Sequence, residues 1–352
     1  MQSLSTKWES VGDLQSTRQR RLGSVLGQSL LPILAYLHIK QYYLEERMLW
    51  EHRIILFRQL FDRDPMSQRH ASDLAESLFN YGVCLHDCKT LETRESRVLD
   101  ACAPLVESVA IRRLLCSRDE KYRGDLANTL HNYGVCLGRS GRMLEACKAE
   151  EETVALRRQM YEREPMSKRY RGALAHSLYN YGLSLADADS EGTLDCIEDA
   201  CSVLKECVWL RREQLIDRVG AGTSPTSTVG SPNRLYRDRW GLELAMALHA
   251  YGWALHRAQR YDDARSIKEE AVSVIRTSPA HRRADLAAAL HNLGSTLHSL
   301  GKINEAYNAY REAVAIRRRD FELDSKRYQA DYEQSLHDLS ICANLLRSRR
   351  PA

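Results

Sequence analysis

A nine-residue pattern recurs along the chain and restricts its fold more than any other feature. It reads LAESLFNYG, LANTLHNYG, LAHSLYNYG, LAMALHAYG and LAAALHNLG at residues 74–82, 126–134, 174–182, 244–252 and 286–294, with a weaker copy, YEQSLHDLS, at 332–340. The apolar first, fifth and eighth positions form one stripe at helical spacing. Each copy is therefore predicted to form the first helix, helix A, of a repeated unit.

A second pattern follows each of the first five copies and ends in arginine. It reads ESVAIRR, ETVALRR, ECVWLRR, EAVSVIR and EAVAIRR at residues 107–113, 152–158, 206–212, 270–276 and 312–318. This pattern predicts the end of a second helix, helix B, in each repeat. The arginines suit either a basic stripe for nucleic acid or the negative end of the helix dipole, with nearby glutamates as partners. A formal net charge of only +4 favours the second interpretation.

Small residues recur at fixed places in both helices, which allows two antiparallel helices to approach closely. The expected packing positions are Gly82, Gly134, Gly182, Gly252 and Gly294 in helix A, and Ala146, Ala264 and Ala306 in helix B. Glycine also stands between the two helices at Gly141 and Gly301, where it predicts a tight turn.

Together these positions resemble the tetratricopeptide repeat (TPR). The motif glycines lie 42 to 70 residues apart, whereas the standard repeat has about 34 residues. In this length and in the Arg-Arg ending, the repeats are similar to those of kinesin light chains and of arrays attached to NB-ARC signalling ATPases. The resemblance covers roughly residues 71–348. It implies an all-α, right-handed α-solenoid of antiparallel helix pairs, with about six repeats and a C-terminal capping helix.

Composition and the motif spacing divide the chain into six segments. Residues 219–235 are rich in Gly, Ser, Thr and Pro, a composition typical of flexible loops. The sequence DRDPMSQR at 62–69 is echoed by EREPMSKR at 162–169, which indicates a degenerate repeat near the N-terminus. The expected segments are a flexible arm (1–23), a degenerate helical repeat (24–69), repeats one to three (70–218), a flexible loop (219–235), repeats four and five (236–327), and a capping helix with a tail (328–352).

Helix A of such a solenoid lines a concave groove that can hold an extended partner. One asparagine stands two positions before the motif glycine in four copies, at Asn80, Asn132, Asn180 and Asn292. Its amide can pair with the main chain of a bound peptide, as in the grooves of kinesin light chains, or fix one hairpin on another. Both interpretations stay open. The groove candidates also include ring-bearing side chains, which are Phe79, His131, Tyr179, His249, His291 and Trp253.

The histidines and cysteines do not predict a metal site or a catalytic site. Consecutive motif histidines belong to different repeats, and no Cys or carboxylate recurs at ligand spacing. The ten cysteines include no C-x-x-C pair, and Cys84 and Cys88 with His86 lack a third and fourth ligand. All the cysteines are expected to be reduced and to have structural roles. No phosphate-loop, nucleophile-elbow, H-E-x-x-H or kinase motif occurs, so no catalytic residue, metal or cofactor is predicted.

The chaperone-type carboxylate clamp is also disfavoured. It places Lys or Arg on successive A helices. Here neither Lys nor Arg occupies those positions, which hold Glu76, Asn128, His176, Met246, Ala288 and Gln334.

These features predict a non-catalytic scaffold or adaptor that binds a protein or an extended peptide. The alternative is a regulatory or sensor subunit whose array controls an associated signalling enzyme or ATPase. No small-molecule substrate is indicated, and nucleic acid is disfavoured. The apolar run at 30–37 is too short to span a bilayer and contains Pro32. A cytoplasmic location is expected, with the nucleus as a further possibility, and the sequence does not specify the oligomeric state.

Overall fold

The computed structural model describes residues 30–39, 42–87, 94–188, 194–219, 232–276 and 283–348. Within these ranges the regular structure is entirely helical, with thirteen α-helices, one 3-10 turn and no strand. The all-α fold class expected from the sequence is confirmed. The predicted arm at 1–23 and most of the predicted loop at 219–235 lie outside the described residues.

The chain forms two compact units, and the first comprises Met1–Met160. Its helices are α1 (Leu31–Ile39), α2 (Tyr43–Arg63), α3 (Gln68–Asp87), α4 (Arg94–Arg118), α5 (Arg123–Arg139) and most of α6 (Met143–Arg163), with a 3-10 turn at Glu120–Tyr122 before α5. From α1 to α5, each helix packs against the next one along the chain. This is the packing of stacked helical hairpins, in which the odd-numbered helices are helix A and the even-numbered ones helix B.

The second unit comprises Tyr161–Ala352. Its helices are α7 (Lys168–Ala188), α8 (Leu194–Val219), α9 (Pro232–Arg257), α10 (Tyr261–Arg276), α11 (Arg283–Ser299), α12 (Ile303–Leu323) and α13 (Ser325–Ser348). Each of these helices also packs against the next. The described residues thus contain six hairpins and a final single helix, as the repeat pattern predicts.

Each motif glycine lies against one side chain of helix B. The opposing residues are Leu105, Glu150, Leu204, Lys268 and Tyr310 for Gly82, Gly134, Gly182, Gly252 and Gly294, in that order. A methyl group added at Gly182 would lie 2.5 Å from Leu204 Cγ. The helix B alanines Ala146, Ala264 and Ala306 are fully buried. The two helices therefore approach too closely for a larger side chain at these positions.

Three hairpins close with the same tight turn. The left-handed residue is Gly141 between α5 and α6, Gly301 between α11 and α12, and Gln259 between α9 and α10, with φ of +77°, +71° and +59°. Glycine adopts this conformation without the steric cost that a Cβ brings. The turn between α9 and α10 thus has the same backbone geometry as the other two, although Gln259 adopts a left-handed conformation less readily than glycine.

The leucine stripe of helix A forms the hydrophobic core of each unit. Leu74, Leu78, Leu174 and Leu178 are each at most 2% exposed. In the last copy, on α13, the corresponding Leu336 is 45% exposed. Within the described residues no helix follows α13, so its stripe is covered on one side only.

Candidate functional site

Three of the four predicted asparagines bond within their own helix. Each donates its Nδ2 group to the carbonyl four residues earlier, at 2.9 Å in Asn80 and Asn132 and at 3.1 Å in Asn180. All three side chains are partly buried, and their Oδ1 atoms receive no hydrogen bond from the described part of the chain. Each unit thus presents asparagine acceptors on helix A that a bound N–H group could use.

Asn292 is held differently. Its Nδ2 atom lies 3.4 Å from Nδ1 of His249, which joins α11 to α9. Its backbone carbonyl accepts a hydrogen bond from Lys268 Nζ at 3.2 Å. Asn292 therefore contacts the preceding hairpin twice, through its side chain to α9 and through its backbone carbonyl to α10.

The ring-bearing candidates of the first unit contact charged side chains of their own unit. The guanidinium carbon of Arg112 lies 5.0 Å from the ring centroid of Phe79. His131 Nδ1 lies 3.1 Å from Oε1 of Glu150, which is 1% exposed. Glu150 is the helix B residue that faces Gly134. Both rings are thus fixed in position, and each remains partly exposed on helix A.

His291 of the second unit belongs to a polar cluster between α11, α12 and α13. Its Nδ1 atom lies 3.0 Å from Ser335 Oγ, and its Nε2 atom lies 3.6 Å from Asp338 Oδ2. Its ring meets that of Tyr310 edge to face at 5.3 Å. Burial, together with the charge of Arg317, lowers the pKa of His291, so the neutral imidazole is favoured.

The remaining ring candidates lie on α7 and α9 of the second unit. The Arg257 guanidinium carbon lies 5.2 Å from the ring centroid of Trp253. Burial raises the pKa of Tyr179. Burial lowers the pKa of His249, and the charge of Lys268 lowers it further. These side chains are therefore uncharged at neutral pH and suit apolar or hydrogen-bonding contacts better than ionic ones.

The buried lysine Lys268, which contacts Asn292, was not predicted from the sequence as a site residue. Lys268 is 5% exposed, and its ammonium donates to Thr296 Oγ1 at 2.7 Å and to the carbonyl of Asn292. Burial lowers the pKa of Lys268 to about 8. The signal was present in the sequence, because Lys268 occupies the helix B position that faces a motif glycine and is leucine in two other repeats.

The terminal arginines of helix B are paired with glutamates rather than free to form a basic stripe. Arg318 bonds Glu322 of its own helix, and four other arginines each bond the glutamate that opens the helix B pattern of the next hairpin. The pairs are Arg58–Glu107 and Arg113–Glu152 in the first unit, and Arg212–Glu270 and Arg276–Glu312 in the second. This arrangement supports the interpretation that the arginines have glutamate partners and do not form a basic stripe for nucleic acid. The shared spacing of the glutamate and arginine in every repeat was the sequence signal for it.

Other arginines are buried and bond the following helix A. Arg53 of α2 donates to Ser77 Oγ at 2.8 Å. Arg112 of α4 donates to the carbonyl of Asp125 at 2.7 Å and to the hydroxyl of Thr129. Arginine therefore connects consecutive hairpins at two depths, one buried and one exposed.

A cavity of about 490 Å³ in the second unit has none of the predicted asparagines in its lining. It is formed by α10, α11 and α12, with Leu290, Leu293 and Leu297 as its apolar wall and Arg276 and Glu312 among its polar residues. Among the described residues, no three or more His, Cys, Asp or Glu side chains are grouped to hold a metal ion. Within the same ranges, no helix has the length and apolar character to cross a membrane.

Residues 243–319, which include most of α9 and all of α10 and α11, match the family model of the tetratricopeptide repeat. A comparison with curated protein sequences finds no match. Among solved structures, BtubC (BKLC) from P. vanneervenii is similar, with a TM-score of 0.51 and 16% identity over 78% of this chain and 91% of that one.

The apo form of RapI is also similar, with a TM-score of 0.50 and 11% identity over 92% of this chain and 87% of that one. A putative kinesin light chain with TPR-like repeats from Podosopora anserina gives a TM-score of 0.47 and 16% identity, over 72% of this chain and 98% of that one.

The stacked hairpins, the close glycine contacts and the absence of a strand in the described residues define an α-solenoid protein built from helical repeats. Residues 243–319 carry the tetratricopeptide repeat, as the motif spacing predicts, and the fold of the chain is similar to that of BtubC (BKLC) and RapI.

Proposed function

We propose that this chain is a non-catalytic scaffold or adaptor that binds an extended segment of a partner protein. The binding surface is the helix-A face, which we define as Phe79, Asn80, His131 and Asn132 in the first unit and Tyr179, Asn180, His249, Trp253, His291 and Asn292 in the second. Each unit binds through its own face.

The observation that carries the proposal is the orientation of the asparagine amides. In Asn80, Asn132 and Asn180 the NH₂ group is used by the helix, so the oxygen is the atom left for a ligand. An extended peptide offers backbone N–H groups at regular intervals of about 3.3 Å per residue. Two adjacent A helices would therefore engage N–H groups several residues apart, independently of the peptide's sequence.

The rings beside the asparagines would supply sequence preference. His131 and Phe79 are fixed by Glu150 and Arg112, so they need little reorganisation to contact an apolar or hydrogen-bonding side chain. His249 and His291 are neutral, since burial lowers the pKa of both. The helix-A face thus favours a peptide with apolar and uncharged polar side chains.

A random peptide display library selected on the full chain tests this function. Selected peptides are then measured by fluorescence polarisation against the Asn132→Ala/Asn180→Ala double variant. The double variant removes one asparagine acceptor from each unit. Each hydrogen bond contributes about 1 kcal/mol, so a peptide that uses the asparagine of either unit should lose affinity about 5-fold.

Asn308→Ala is the matched control, because Asn308 is an exposed asparagine of helix B on α12. It should bind every selected peptide as tightly as the unchanged chain does. The proposal is contradicted if the double variant retains full affinity while its circular dichroism and melting temperature are unchanged. It is also contradicted if the library yields no binder.

A further inference from the structure

Two buried thiols of the first unit lie closer together than their role as packing residues requires. The Sγ atoms of Cys102 on α4 and Cys136 on α5 are 2.8 Å apart. Cys102 is 6% exposed and Cys136 is fully buried. They share a hydrophobic cluster with Leu85 and Leu105, and Tyr133 packs against it. The thiols therefore meet at the junction of two consecutive hairpins.

The geometry is close to that of a disulfide. The sulfur atoms of a disulfide are separated by about 2.0 Å, so bond formation requires them to approach by less than about 1 Å. The two cysteines come from different helices of adjacent hairpins and are 34 residues apart in the chain. A bond between them would add a cross-link between α4 and α5, which the backbone joins through residues 119–122.

We infer that Cys102 and Cys136 form a modification site, a dithiol that hydrogen peroxide oxidises to an intramolecular disulfide. One thiolate attacks the peroxide, so that an S–O bond forms, the O–O bond breaks and the leaving hydroxide takes up a proton to become water. The second thiolate then attacks the sulfur of the resulting sulfenic acid, so that the S–S bond forms, the S–O bond breaks and the leaving hydroxide takes up a proton to become a second water. The thiols lose two electrons and the peroxide gains them.

Burial controls the rate of this reaction. It raises the pKa of Cys136, and the nearby Cys102 contributes to that shift. The thiolate is the reactive form, so the closed structure reacts slowly at neutral pH. Cys136 lies in the last turn of α5, which ends at Arg139. Fraying of this turn would admit the oxidant, while the neighbouring thiol stays in place to complete the bond.

Peptide mapping of the full chain tests the inference directly. The folded protein is treated with hydrogen peroxide, remaining thiols are alkylated, and the protein is digested with trypsin without reduction. Cys102 and Cys136 fall in separate tryptic peptides, residues 98–112 and 124–139, each with a single cysteine. The expected product is these two peptides joined, with the mass of two hydrogen atoms missing, and dithiothreitol should separate them again.

Serine variants and a urea-denatured sample distinguish two cases. In one the disulfide forms because the fold holds the two thiols close together, and in the other cysteines are oxidised at random. Cys102→Ser or Cys136→Ser should abolish the joined peptide, whereas Cys201→Ser, at a buried thiol of the second unit, should leave it unchanged. Peroxide treatment in urea should reduce the yield of this pair at least several-fold relative to other cysteine pairs. The inference is overturned if the folded chain gives no joined peptide, or gives it only at the yield of the urea sample. This comparison uses the unchanged chain, so it holds even where a serine variant folds poorly.

Discussion

Replacing Lys268 with leucine should stabilise the second unit, although the lysine makes two hydrogen bonds. The side chain faces Gly252, and the corresponding residues Leu105 and Leu204 show that leucine fits this position in other hairpins. Lys268 is 5% exposed, and burial lowers its pKa from an ordinary value of 10.5 to about 8. The folded chain therefore binds the ammonium proton of Lys268 less tightly than the unfolded chain does.

The size of this effect follows from the pKa. Each pKa unit corresponds to about 1.36 kcal/mol, so keeping Lys268 protonated in the fold costs about 3 kcal/mol at neutral pH. The lost hydrogen bonds to Thr296 and Asn292 offset about half of this gain. The Thr296 hydroxyl keeps partners, because it lies 3.0 Å from His256 Nδ1 and donates to the Asn292 carbonyl. Lys268→Leu should therefore raise the free energy of unfolding by about 1–2 kcal/mol at pH 7.

The pH dependence separates this mechanism from simple repacking. The folded pKa is lowered, so between about pH 8 and pH 10.5 the unfolded chain binds more protons than the folded chain. The stability of the unchanged chain should rise through this window relative to that of Lys268→Leu. The advantage of the variant should then disappear about midway through this window, where the remaining cost of protonation equals the contribution of the lost hydrogen bonds.

Urea unfolding of the full chain, followed by circular dichroism from pH 7 to pH 10.5, measures both quantities. Lys205→Leu is the matched control, since Lys205 is an exposed lysine on α8 of the same unit, and its difference from the unchanged chain should not vary with pH. The reasoning is refuted if Lys268→Leu is less stable than the unchanged chain at pH 7, or if their difference is constant across the pH range.

Two further predictions concern the connections within and between hairpins. Gln259→Gly should stabilise the chain by about 0.5–1 kcal/mol, because Gln259 holds a left-handed φ of +59°. Thermal melting would show this, with Gly301→Ala as the opposite control, and a fall in melting temperature for Gln259→Gly would contradict it. A double-mutant cycle of Arg276→Ala and Glu312→Ala should give a coupling of about 0.2–1 kcal/mol that weakens with salt. Zero coupling at low salt would show that this pair does not form in solution.

The hairpins and their order could be predicted because their signals are local. A helix-A stripe such as Leu174 and Leu178 repeats at the helical period, and the motif glycine marks the face that meets helix B. The tight turns at Gly141 and Gly301 likewise follow from one residue each. The turn at Gln259 is an exception, since its sequence carries no glycine and only the neighbouring helices impose the conformation.

The contacts of the candidate site could be predicted only in part, because they join residues far apart in sequence. The asparagine positions are visible in the motif, but the amide orientation of Asn132 depends on competition with its own helix. The pair Cys102 and Cys136 and the lysine Lys268 depend on how one hairpin rotates against the next. No periodicity within a single helix encodes that rotation.

The glutamate–arginine pairs between hairpins have a consequence for how such an array changes in length. Within the second unit, Arg212 pairs with Glu270 and Arg276 pairs with Glu312, always from one helix B to the next. The hairpin α9–α10 therefore carries Glu270 as an acceptor for the preceding hairpin and Arg276 as a donor for the following one. If the hairpin α9–α10 were deleted, Arg212 would meet Glu312 with the same chemistry. Gain or loss of this hairpin thus leaves the junction chemically matched, so the number of hairpins in the second unit can vary without new compensating substitutions.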